Sequence, residues 1–152
     1  MGNLLVDLMH NVVLMTALVA WLIAQVLKTI TSMWKDKAFN AKRLVGAGGM
    51  PSSHTALVVS LASAAGYHDG FDSPLFAVAV VLASIVMYDA AGVRQAAGKQ
   101  AKVINELVRE LTVEHIVKDT RLKELLGHTP LEVLAGAVLG ITIAYSFHHL
   151  YR

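Results

Sequence analysis

The chain has 152 residues, of which 55% are hydrophobic and 16% charged, and its mean hydropathy is +0.55. That length argues for a single domain over 1–152, and a charged share well below the roughly 25% of a soluble domain calls for a membrane. The chain has no cysteine, which excludes disulfides and thiolate metal sites, and a net charge of +2 is too small to point to nucleic acid.

Four apolar stretches follow in order. Val12 to Leu27 is free of charge and continues past Lys28 to Trp34. The residues before it hold no basic group and the run is long, so it does not read as a cleaved signal peptide. Thr55 to Tyr67 is short and rich in small residues (Ala62, Ser63, Ala64, Ala65) that favour close helix packing. Pro74 to Tyr88 carries no charge, and Leu131 to Tyr151 carries one acid, Glu132. A spanning helix needs about 20 mostly apolar residues. The first and last runs meet that, and the third does with Asp89 to Gly92 included. The second does only if His54 and the turn before it lie at membrane depth. The expected fold is an all-α membrane bundle of about four transmembrane helices. An amphipathic helix joins it, marked by Ile104, Leu107, Val108 and Leu111 at helical spacing. A short helix is expected over Arg121 to Leu126, ending at Gly127.

The loops sort by charge. Residues 28–50 hold five basic groups and one acid, and residues 92–128 hold seven basic groups and five acids. Twelve of the thirteen basic residues therefore fall on one side, the exception being Arg152. The positive-inside rule assigns that side to the cytoplasm and both termini to the outside.

Three polar clusters interrupt the apolar pattern, all on that side. In Gly48-Gly49-Met50-Pro51-Ser52-Ser53-His54, proline suits the first position of a helix. The free amides and dipole of a helix start attract an anion, Ser52 and Ser53 add hydroxyl donors, and His54 can exchange a proton near neutral pH. In Asp89-Ala-Ala-Gly92-Val-Arg94, Arg94 offers a planar fork for phosphate oxygens. Asp89 is read equally well as its ion-pair partner or as a direct participant. In the third cluster His128 and Glu132 stand four apart, so a carboxylate can fix one imidazole nitrogen and present the other as base or nucleophile. Thr129 to Glu132 also spells a capping box, which explains Glu132 without chemistry. Lys35, Lys37, Lys99 and Lys102 read as membrane-surface charges. His10, His68, His115, His148 and His149 have no evident partners. Two histidines, cations and carboxylates at one boundary form the set that phosphoryl transfer needs.

These residues also carry a resemblance. Pro51-Ser52-Ser53-His54 resembles the second signature of the type-2 phosphatidic acid phosphatase superfamily, which includes the vanadium haloperoxidases, and His128-x-x-x-Glu132 resembles its third. The phrases Gly-Gly-Met-Pro-Ser-Ser-His, Asp-Ala-x-Gly-Val-Arg and Leu-Lys-Glu-Leu-Leu-Gly-His are similar to the small, divergent branch of that superfamily from end to end. The resemblance implies an integral-membrane phosphatase acting on a lipid phosphate monoester or diphosphate. In that scheme His128 attacks phosphorus to give a phosphohistidine, Glu132 orients it, and His54 protonates the leaving oxygen and then activates water. Arg94, Lys123, Ser52 and Ser53 would hold the phosphate, and cationic side chains would supply the neutralisation a metal otherwise gives, so no cofactor is expected.

The sequence departs from the superfamily in four places, one being Ser53, where the second signature usually carries a glycine. The first signature, a lysine followed seven residues later by Arg-Pro, is absent, which makes Lys28 and Arg43 candidates for the missing cation. Leu122, between Arg121 and Lys123, stands where the third signature carries an arginine, and Glu132 stands where it carries an aspartate. A non-catalytic lipid-phosphate binder or carrier is therefore the alternative, and a purely structural membrane module a third. Four short spans also make a homodimer a candidate assembly.

Overall fold

The computed structural model describes residues 3–36, 49–113 and 128–151. Every regular element among them is an α-helix: α1 (Leu4–His10), α2 (Val12–Asp36), α3 (Ser53–Asp69), α4 (Pro74–Ala91), α5 (Val93–Val113) and α6 (Pro130–Leu150). The all-α membrane bundle expected from composition is what forms. Three helical runs are long and apolar enough to cross a bilayer: Val12–Trp34 of α2, the run that opens at Pro74 in α4, and α6. Their outward faces show Leu22, Val78, Val81, Ile85 and Leu134, which is the surface a hydrocarbon solvent accepts.

Local chemistry sets the helix starts. The Asn11 Oδ1 accepts the amide of Leu14 (3.0 Å) at the head of α2. Ser73 caps α4 through the amide of Phe76 (3.2 Å), with Pro74 at the first turn where its missing N–H costs nothing. Gly70, at φ +96°, makes the left-handed turn between α3 and α4 that a side chain would resist.

The second predicted span, α3, differs from its neighbours. Its 17 residues reach about 25 Å at 1.5 Å per residue, short of the ~30 Å hydrocarbon core. It is the central helix, packed against α2, α4 and α6. Ala56, Ser60, Ala62, Ala64, Ala65 and Gly66 are all buried along it, because only small side chains let three neighbours approach one helix together. Against α4 it builds a small core of Val58, Ala62, Ala79 and Ala83.

The α3–α6 seam is tighter still. A Cβ on Gly136 would stand 2.5 Å from the Ser52 carbonyl oxygen, and one on Gly140 would stand 2.8 Å from that of Ala56 and 2.9 Å from the amide nitrogen of Ser60. Glycines four apart on α6 thus meet small residues four apart on α3, the packing membranes use where apolar side chains gain nothing by leaving lipid.

Three hydrogen bonds bring four helix ends together. Thr31 donates to the Met50 carbonyl (2.7 Å), the Ser52 amide to the Glu132 carbonyl (3.0 Å), and the His128 amide to the Ala90 carbonyl (3.1 Å). The ends of α2 and α4 and the beginnings of α3 and α6 therefore share one end of the bundle. Beyond Ala91, helical bonding continues through Gly92, whose amide meets the Tyr88 carbonyl (2.8 Å) and whose carbonyl accepts the amide of Ala96 (3.0 Å). On α5, Ile104 and Leu107 of the predicted stripe are exposed and Val108 is half-buried, while the side chain of Leu111 lies outside what the structure describes. The helix predicted over Arg121 to Leu126 lies outside the described residues.

Candidate active site

The beginning of α6 fixes His128. Thr129 caps the helix by accepting the Glu132 amide (3.3 Å), and the Glu132 carboxylate returns to accept the Thr129 amide (3.0 Å). The same Oε2 lies 3.2 Å from Nδ1 of His128. A carboxylate oxygen that already accepts one N–H can only accept another, so Nδ1 carries a proton, and in the neutral ring Nε2 holds the lone pair. His128 is 2% exposed, and its Nε2 is buried with no hydrogen-bond partner among the described residues. A buried nitrogen left in that state carries an energetic penalty and asks for a reason. The two readings of Glu132, cap and orienting carboxylate, are both present, on one oxygen.

His54 comes from the first turn of α3, and its ring centroid lies 6.3 Å from that of His128, the planes tilted by 60°. Two rings from residues 74 positions apart in the chain thus come together at one end of the bundle.

The helix start before His54 is built differently from the sequence expectation. Pro51 does not open the helix. It precedes the cap, and Ser52 is the N-cap residue. The Ser52 hydroxyl accepts the Thr55 amide (3.4 Å) and the Thr55 hydroxyl (3.0 Å), while its own amide is bound to Glu132. With 0% exposure, its side chain is committed to the cap and retains only the hydroxyl proton to donate. The reason is that a serine before a helix finds its nearest acceptor role in the helix's own first turn. Ser53, also buried, occupies the first helical position.

Lys28 reaches this end from α2. It is 3% exposed, and its stem lies under Gly49, where a Cβ would stand 2.9 Å from the lysine Cγ. Gly49 also holds φ +99°, so this glycine is required twice, by its dihedral and by the lysine beneath it. Lys28 shares a helix face with Gln25 and Ser32, both buried. Sequence reasoning passed over those two, although polar groups at i, i+3 and i+7 inside a span are an available signal, since each is costly in lipid unless it faces the bundle interior. Asp89 sits half-buried in the last turn of α4, next to the Ala90 carbonyl that holds the His128 amide. Arg94 falls in the first turn of α5, and its side chain is outside what the structure describes. Lys123 and Arg43 lie outside the described residues. The structure thus brings His54, His128, Glu132, Ser52, Ser53 and Lys28 to one end. It also adds Thr129 and Ala90, which sequence reasoning did not assign to the site.

A helical membrane bundle with two facing histidines at one end, one of them fixed by a carboxylate, defines the class. The comparisons agree with it: a model of the divergent PAP2 family matches residues 9–143. The chain belongs to that family. It is 38% identical over 156 residues to a protein described as the uncharacterized membrane protein YuiD of Bacillus subtilis (strain 168), covering 93% of this chain and 99% of that one. No solved structure matches the chain.

Proposed function

We propose that the protein is a lipid-phosphate phosphatase working through a phosphohistidine. The observation that carries the reading is the geometry at His128: Nδ1 tied to Glu132, Nε2 buried with no partner among the described residues, and a second imidazole 6.3 Å away. In the first step the Nε2 lone pair attacks phosphorus, the P–O ester bond breaks, and protonated His54 gives its proton to the departing oxygen. In the second, neutral His54 takes a proton from water, the hydroxide attacks phosphorus, the P–N bond breaks, and inorganic phosphate leaves with His128 restored. Glu132 stabilises the imidazole as positive charge develops on it. Lys28, buried under Gly49 at this end, supplies a cation in place of the family signature that the sequence lacks. Arg94, Lys123 and Arg43 complete the charge neutralisation, with Ser53 at the helix start and Asp89 in support.

The charge asymmetry of the loops supports a site at the cytoplasmic leaflet with both termini outside. The substrate is then a phosphate monoester or diphosphate on a lipid held in that leaflet. The test is phosphate release from purified lipid phosphates by detergent-solubilised protein, with acid-labile phosphate trapped on His128 during turnover. His128→Ala is expected to abolish both, and full activity in that variant rejects the nucleophile. The absent first signature keeps a binding protein as the second reading. It predicts retention of labelled lipid phosphate with no inorganic phosphate released by the unaltered protein.

A further inference from the structure

Beneath His128 the bundle opens. At the site end the His128 amide, just before α6, bonds the Ala90 carbonyl of α4, while the two helices touch each other little, each leaning on α3 instead. The wedge between them is a groove of about 350 Å³ with α3 as its floor. Met87, one helical turn from Ala90, and Val59, one turn from Thr55, line its upper part. Ala83 and Ser84 of α4 face Ile141 of α6 lower down. No charged residue lines it. Its far end is filled by aromatic rings: Tyr67 lies edge-on to Phe71 at 5.4 Å, and Phe71 edge-on to Phe76 at 5.2 Å. Phe71 is seated on Gly66, where a Cβ would stand 2.6 Å from its ring.

We propose that this groove holds the hydrocarbon chain of the substrate and that the aromatic trio sets the chain length accepted. The inference rests on the histidine pocket being a lipid-phosphate site. A lipid whose phosphate lies at His128 must send its chain toward the bilayer centre, and the groove opens at Met87, one helical turn along α4 from the Ala90 carbonyl that holds the His128 amide, and runs away from that end. From Met87 to Phe76 the α4 wall covers about 16 Å at 1.5 Å per residue, the reach of a medium-length acyl chain. A longer chain meets the rings and has to leave sideways into lipid. A shorter one leaves apolar wall uncovered. A floor of small residues beside a few larger apolar ones is what a pocket for a hydrocarbon needs.

The experiment uses purified protein in micelles and saturated lysophosphatidates of graded chain length, some with a diazirine at the chain end, beside a chainless aryl phosphate. Three variants are compared with the unaltered protein: Ser84→Phe, which fills the groove from a lipid-facing wall, and Phe71→Ala and Phe76→Ala, which remove its stop. Photolabelling is expected at Ala83, Ser84 and Ile141. Ser84→Phe should cut labelling and long-chain phosphate release at least about tenfold while aryl phosphate hydrolysis stays within about twofold. Either alanine variant should move the preferred chain to a longer one. An unchanged chain-length profile in all three variants, or label spread evenly over the outward faces of α2 and α4, overturns the inference while hydrolysis itself leaves the phosphatase reading standing. Groove labelling with no hydrolysis of any phosphate overturns the phosphatase reading and leaves the groove as a lipid-chain site.

Discussion

Both ends of the bundle carry histidines, and they are put to opposite uses. At the far end, His148 stacks on Tyr67 with centroids 4.8 Å apart, His149 lies 4.4 Å from the Tyr145 ring, and His68 pairs with Asp69 while its side chain stays 61% exposed. Rings of this kind, half in water and backed by aromatics, belong to the interfacial belt of a membrane protein. At the near end His128 is enclosed, bound at one nitrogen and open at the other. Among the described residues imidazoles are more numerous at the far end, but His68, bound to a carboxylate there, lies open to water. What separates the ends is a buried carboxylate contact together with a nitrogen left unused, and neither can be counted from composition.

That contrast can be broken from either side. The largest effect is expected from His128→Ala, with phosphate release falling about 10⁴-fold or more while circular dichroism stays helical. His54→Gln should lower turnover about 10²- to 10³-fold through loss of the proton donor, and should slow release of a phosphate already on the enzyme in a single-turnover measurement. Glu132→Gln keeps an oxygen for the Thr129 amide but removes the charge facing His128, so activity should drop about 10²-fold with little change in melting temperature. Glu132→Ala should lose stability too, by about 0.5–2 kcal/mol from the broken cap. Gly136→Ala drives a methyl into the Ser52 carbonyl and should cost about 1–3 kcal/mol, read as a lower melting temperature in detergent. Smallest of all, His148→Ala together with His149→Ala should move activity by less than about twofold, since exposed groups away from the chemistry carry little. A large loss there would erase the distinction between the ends.

Much of this was legible in the chain. Apolar run lengths marked α2, α4 and α6, and the loop charges put the three polar clusters on one side before any coordinates. The pairing of His128 with Glu132 follows from a four-residue spacing at a helix start. What the sequence did not convey depends on neighbours. Ser52 looked like a donor for an anion, but the deciding fact is that α3 begins one residue after it and Thr55 stands in reach of its hydroxyl. Gly136 and Gly140 are ordinary residues in an apolar helix until α3 lies against them. α3 itself reads as a marginal span because its small residues lower its hydropathy, and those same residues put it at the centre. The groove below His128 exists only because α4 and α6 diverge, a property of no single segment.

One oxygen of Glu132 closes the first turn of α6 and also selects the tautomer of His128. Truncating this side chain would loosen the start of α6 as well as free the histidine, whereas glutamine would keep the cap oxygen and lose only the charge. Exchanging glutamate for the shorter aspartate would ask one atom to serve two donors from further away. A glutamate here is thus accounted for by helix capping alone, and its presence by itself is no sign of chemistry.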